Sequence, residues 1–213
     1  MSDSEDLPQL SAETFAALQQ FYQEQEEKEI IMSKLNSDQP EVQHFDEDWQ
    51  LSQFWYDSAT VDTLVKLALK TVGQKARIAL ISCPTLYKKM KQEASADCEI
   101  HVYEYDRRFA SFGSDFILYD YKNPLNIPRD KANYYDLVIA DPPFLSDECL
   151  TKTSVTMKYI SKEKLILCTG AVMACTAKRL LDLNKSEKFE PHHTNNLGNE
   201  FWCYSNYDID ALL

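Results

Sequence analysis

Glycine is scarce in this chain. Gly73, Gly113, Gly170 and Gly198 are its four glycines, and none forms a G-x-G pair. A glycine-rich loop cradling a phosphate is therefore excluded. Long apolar runs are missing too, since none approaches the ~18 residues of a membrane-spanning helix. The start, Met-Ser-Asp-Ser-Glu-Asp, lacks the basic and apolar parts of a signal peptide, so no leader is expected. The six cysteines (Cys83, Cys98, Cys149, Cys168, Cys175, Cys203) form no C-x-x-C pair, and His192-His193 has no matching thiols. Reduced core thiols of a cytoplasmic protein are expected, not disulfides or zinc. An excess of positive charge is also absent. Residues 1–48 carry 13 acids and 2 bases, and residues 49–213 carry 21 acids and 20 bases. The acidity thus belongs to an N-terminal arm, and the remainder is nearly neutral. Such a balance lacks the footprint of nucleic-acid binding and favours a basic partner surface.

What is present reads as an acidic helical arm and linker over 1–48, then one α/β domain over 49–213. In the arm, Ser11 can cap a helix over about 12–29 with Phe15, Leu18, Phe21 and Tyr22 on one side, and 33–44 reads as linker. Trp49–Tyr56 is dense in aromatics and amides. Packing over a sheet face is one reading; the other is a lid whose Gln53, Phe54, Trp55 or Tyr56 touches a ligand. A helix starting at Asp57 or Ser58 buries Val61, Leu64, Val65 and Ala68 and ends at Gly73. Strands are expected at Arg77–Ser82, Glu99–Asp106, Asp115–Asp120, Leu137–Ala140 and Lys164–Gly170. Helices are expected with Thr85 as cap, after Ser146, and over 172–183. Phe189 and Phe201–Tyr207 suggest a final antiparallel pair. The loop between them offers Asn195, Asn196, Asn199 and Glu200 to a substrate side. Between Asp120 and Asn133 there is no room for a long crossover helix.

The centre of the chain is Asp141-Pro142-Pro143-Phe144, after the β-branched run Leu137–Ala140. Parallel strands of open α/β sheets present ligands at their C-terminal ends. The prolines stiffen the turn and remove N–H donors, so nearby carbonyls and the Asp141 carboxylate can accept hydrogen bonds. Phe144 adds a flat face. Acceptors beneath a ring hold an amine with its lone pair aimed at an electrophile. The tetrapeptide resembles the Asp-Pro-Pro-aromatic signature of amino-group methyltransferases that use S-adenosylmethionine. That cofactor carries no phosphate, so the glycine-free turn Ser82-Cys83-Pro84 can still serve it. Glu104, 22 residues beyond Ser82, suits a ribose diol, with Asp106 in reserve. Asp120 sits where an adenine amino group would need an acceptor.

Trp49–Tyr56, Glu104–Phe109, Tyr119–Pro124, Ile139–Phe144, Cys168–Gly170 and Asn199–Phe201 together resemble one eukaryotic family. It was first named as adenine-specific DNA methyltransferases and is now assigned as lysine methyltransferases of translation elongation factor 1-alpha. The resemblance implies a Rossmann-like seven-strand class I methyltransferase fold, with S-adenosylmethionine as cofactor and elongation factor 1-alpha as protein substrate. It further implies a cytoplasmic enzyme, expected to be a monomer. Asp141, Pro142, Pro143 and Phe144 would face the acceptor. Gln53, Phe54, Trp55, Ser82, Cys83, Pro84, Glu104, Asp120 and Asp141 would face the cofactor. The residues alone leave two rivals open: methylation of an adenine amino group, and a binding module without catalysis.

Overall fold

In a computed structural model of the chain, residues 45–195 and 197–213 are described. The arm helix at 12–29, the linker at 33–44 and Asn196 lie outside the described residues. Every element below belongs to the unit Glu47–Leu213.

Helix α1 (Ser58–Val72) starts where the Asp57 carboxylate accepts the Thr60 N–H at 2.7 Å. It ends at Gly73, whose φ of 78° is costly for a side chain. Leu64, Val65 and Ala68 are buried as the period demands, and Val61 is partly buried. β1 (Arg77–Ile81) and β2 (Glu99–Glu104) flank α2 (Thr85–Glu93). β3 (Phe116–Leu118) is short and leads to β4 (Tyr135–Ala140) with only a 3-10 turn at Arg129–Lys131 on the way. That is the abbreviated crossover expected. α3 (Asp147–Ile160) is capped by Ser146, with Asp147 and Glu148 in its first turn. β5 (Ser161–Gly170), α4 (Ala174–Leu181), β6 (Asn184–Lys185) and β7 (Phe201–Ser205) complete the domain.

Among the described residues the strands form one sheet of order β3-β2-β1-β4-β5-β7-β6. β1 to β5 are parallel neighbours, and β7 runs antiparallel to β5 and β6. This is the Rossmann-like seven-strand class I methyltransferase fold. Apolar clusters cover both faces, one around Leu64, Ile78 and Ile139, the other around Tyr103, Tyr135 and Val138. The chain leaves β1 toward β2 on one side and returns to β4 on the other. The C-terminal ends of β1 and β4 therefore frame the crevice where such sheets bind ligands.

Several expectations need correction. Thr85 does not cap α2. It is the first helical residue, Pro84 holds the cap position, and no side chain bonds there. Phe189 is in no strand but packs on the core, and β7 pairs with β5 on one side and Asn184–Lys185 on the other. β2 stops at Glu104 because Asp106 turns to cap the 3-10 stretch Arg107–Asp115. α4 is shorter than 172–183, since a 3-10 turn at Ala171–Met173 precedes it and left-handed Asp182 ends it.

Candidate active site

Strand register brings the acidic residues together. Ile81 is level with Ala140 and Tyr103, and Glu104 is level with Leu118. Ser82, Glu104 and Asp141, each one residue beyond the level of Ile81, and Asp120, two residues beyond Leu118, therefore emerge at one edge of the sheet. They line a cavity of about 490 Å³, a size suited to a small-molecule ligand. Gln53, Phe54, Trp55, Cys83, Pro84, Pro142, Pro143 and Phe144 line it as well. The residues expected to face the acceptor and the cofactor thus share one cavity, while Tyr56, named with them in the aromatic segment, does not line it.

The turn after β1 shows how the chain manages without glycine. Ser82 adopts φ 55°, the left-handed conformation that glycine normally supplies. Its N–H bonds the Tyr103 carbonyl at 2.9 Å, and the Asp141 N–H bonds the Ile81 carbonyl at 3.0 Å. The two strand ends are thereby tied across the crevice. The Cys83 thiol is buried 3.6 Å from the Ile139 carbonyl, and burial pushes it up.

Glu104 is buried, and its carboxylate accepts the backbone N–H groups of Tyr105 (2.8 Å) and Asp106 (3.1 Å). Burial outweighs these bonds and raises its pKa to about 7. Asp141 is also raised to about 7. Burial is the main cause, Tyr56 opposes it and the charge of Glu104 adds to it. Asp141 is only partly covered as a residue, because its outer surface faces the cavity while its carboxyl group sits deep. Asp120 accepts the Lys122 N–H at 2.9 Å and the Asn123 amide at 3.3 Å, so its turn is braced locally.

The segment 49–56 is fastened through Gln53. Its amide donates to Asp106 at 2.9 Å, while its oxygen accepts from Arg108 (2.9 Å) and from the Asp48 N–H (3.2 Å). Arg108 in turn clasps Asp106 at 2.6 Å. Burial works to raise Asp106, but Arg108 and Gln53 hold it below the usual carboxylate range. Asp106 is thus committed to fastening this segment and does not line the cavity, which leaves Glu104 as the ribose candidate.

Phe144 is 41% exposed and meets Tyr121 edge-on, with ring centroids 5.9 Å apart. Tyr121 was not singled out in the sequence, although it lies beside Asp120. His193, Leu197 and Asn199 reach the cavity from the loop before β7, and Phe201 reaches it from the start of that strand. Asn195 instead bonds Glu47, and Glu200 accepts from the Trp202 indole. Neither lines the cavity. Apolar walls, buried carboxylates and a single lysine, Lys122, suit a cationic sulfonium with a ribose and an adenine better than a phosphate ester.

A family model described as "Probable N6-adenine methyltransferase" matches residues 47–209. The EEF1A lysine methyltransferase 1 of Gallus gallus is 48% identical over 206 residues, spanning 96% of each chain. That of Homo sapiens is 48% identical over 211 residues, spanning 98% of this chain and 97% of its own. Among solved structures, Aeropyrum pernix fibrillarin in complex with S-adenosyl-L-methionine superposes with a TM-score of 0.51 at 13% identity. It covers 78% of this chain and 84% of its own, a likeness of fold alone. With relatives of nearly half identity along almost their whole length, the chain belongs to the EEF1A lysine methyltransferase 1 family.

Proposed function

We propose that this protein is a protein-lysine N-methyltransferase that methylates a lysine of translation elongation factor 1-alpha, with S-adenosylmethionine as methyl donor. The observation that carries the reading is the placing of Asp141-Pro142-Pro143-Phe144 in the same cavity as Glu104 and Asp120. One end of that cavity can hold a nucleoside and the other an amine. The names of the relatives bear the same way, since they are called lysine methyltransferases, whereas the family model's description names adenine.

S-adenosylmethionine supplies an electrophilic methyl group on a positive sulfur. Glu104 would hold the ribose hydroxyls and Asp120 the adenine amino group, with Phe54 and Trp55 covering them. The Ser82-Cys83-Pro84 turn would pass beneath the cofactor. Asp141 and the carbonyl of Pro142 would orient the acceptor nitrogen beneath Phe144. A lysine ammonium, with a pKa of roughly 10.4, must lose a proton before it attacks. The low-dielectric site favours the neutral amine. Asp141, poised near 7, accepts a proton better than an ordinary carboxylate would. Asp141 and the Pro142 carbonyl would hold the nitrogen that receives the methyl group, as bound S-adenosylmethionine gives it up and keeps the sulfur electron pair. Alignment of nitrogen, carbon and sulfur supplies much of the rate.

The near-neutral domain and the acidic residues 1–48 fit a basic protein partner better than a phosphate backbone. The reading includes a cytoplasmic monomer with a catalytic domain at 49–213 and an acidic arm before it. Among the described residues no helix is long and apolar enough to cross a membrane. The test is methyl transfer to purified elongation factor 1-alpha, with DNA and RNA as parallel acceptors. Label on lysine is expected. Label confined to adenine, falling steeply with salt, would overturn the reading.

A further inference from the structure

Tyr56 stands just before α1 and is 5% exposed. Its backbone pairs with His193 in an isolated antiparallel bridge. The Asp57 N–H bonds the His192 carbonyl at 3.0 Å, and the Thr194 N–H bonds the Trp55 carbonyl at 2.8 Å. The Tyr56 and His193 rings lie 5.1 Å apart. Tyr56 is therefore clamped between the end of the aromatic segment and the loop before β7, which lines the cavity. Its ring runs inward to the apolar cluster that holds Cys83 and Cys168.

The Tyr56 hydroxyl is wholly enclosed and approaches the Asp141 carboxylate, whose pKa it lowers, without reaching standard hydrogen-bond geometry. An enclosed polar group without a partner is unfavourable, and phenylalanine would fill the same volume without that defect. The hydroxyl faces Asp141 and Cys168. The titratable groups facing Asp141 are Tyr56, Glu104, Cys83 and Cys168. Among these Tyr56 alone is an uncommitted O–H donor held in place by backbone pairing. Hydrogen bonds at catalytic groups are often loose before substrate binds and tighten in the reacting complex.

We propose that Tyr56 is a positioning residue for Asp141: in the reacting complex its O–H donates to one carboxylate oxygen and leaves the other for the acceptor amine. This rests on the methyl-transfer reading above. Donation favours the ionised carboxylate and so opposes the burial and the Glu104 charge that push Asp141 upward. Without it, Asp141 ionises at higher pH and its free oxygen is no longer fixed.

The test compares full-length wild type with Tyr56→Phe. kcat should fall roughly ten-fold, the size of one hydrogen bond to a charged group. The acid limb of the pH–rate profile should move to higher pH, and the dissociation constant for S-adenosylmethionine should stay unchanged. Carboxyl NMR titration of the free protein should show the Asp141 midpoint raised. Thermal stability should be equal or higher. Tyr204→Phe is the control, because it removes another enclosed, unpartnered hydroxyl that does not line the cavity. It should leave kcat and the acid limb as in wild type. Wild-type kcat and an unmoved Asp141 midpoint in Tyr56→Phe would overturn the proposal, as would the same loss in Tyr204→Phe. If the acceptor is a nucleic acid, the comparison is read on that acceptor. The lysine reading then fails while the role of Tyr56 is still decided.

Discussion

Glu104 ends β2 and Asp141 directly follows β4, the two strands that flank β1, and the charge of Glu104 helps to raise the pKa of Asp141. Both carboxyls are held at about 7, against ordinary values of 4.5 and 3.8. Between those values and 7, the folded chain binds protons that the unfolded chain has released. The stability these groups contribute is therefore fully present below about pH 4 and is lost as pH rises through 7. His101 and His193, lowered mainly by burial, act in the opposite sense over an overlapping range. The sign must therefore be read as a difference. Urea unfolding of wild type and of Glu104→Gln/Asp141→Asn, without cofactor, should show wild type losing more stability from pH 5 to 8. Parallel curves would contradict the buried placement.

Glu104 is the group on which cofactor affinity should depend most. An ionised carboxylate accepts two hydroxyls and favours a cation. Binding of S-adenosylmethionine should thus tighten as pH rises through 7. Glu104→Gln should weaken it by about 2 kcal/mol, the size of a lost bond to a charged group, and flatten the pH dependence. Isothermal calorimetry reads both. An unchanged dissociation constant would remove Glu104 from the ribose.

Ser82 carries the conformational burden of the missing glycine. Ser82→Gly keeps φ 55° accessible and should alter stability by no more than about 1 kcal/mol, with cofactor binding intact. A β-branched side chain tolerates that conformation worst, so Ser82→Val should cost about 2 kcal/mol or more and abolish cofactor binding. Equal behaviour of the two variants in thermal melts and calorimetry would contradict this account of the turn.

Gly170 seats the loop after the prolines. A Cβ there would lie 2.9 Å from both terminal methyls of Leu145, which lines the cavity. Gly170→Ala should turn Leu145 aside at a stability cost of about 1 kcal/mol and lower kcat more than it changes cofactor affinity. Gly170→Val should be markedly worse. Steady-state kinetics of the two variants would check the order.

The sequence made the sheet legible through Ile78–Ile81, Ile100–Tyr103 and Leu137–Ala140, because buried parallel strands are nearly continuous apolar runs. Asp57, Gly73 and Ser146 marked helix ends through their capping chemistry. Motif spacing placed Glu104, Asp120 and Asp141 at strand ends, and register then converged them. Other features depend on tertiary partners. Asp106 has the same chemistry as Glu104 and is set apart only by Arg108 and Gln53. Tyr121 and His193 reach the cavity through ring packing that no local pattern encodes. Asn184–Lys185 is too short and polar to read as a strand, and becomes one only through its pairing with β7.

The central claim is that Asp141 serves the acceptor amine rather than the cofactor or the fold. The most direct measurement is labelled methyl transfer to elongation factor 1-alpha by wild type and Asp141→Ala, with cofactor affinity measured on the same preparations. The account predicts that the variant folds, binds S-adenosylmethionine within a few-fold of wild type, and loses at least about 100-fold in turnover. Full turnover in Asp141→Ala would contradict it.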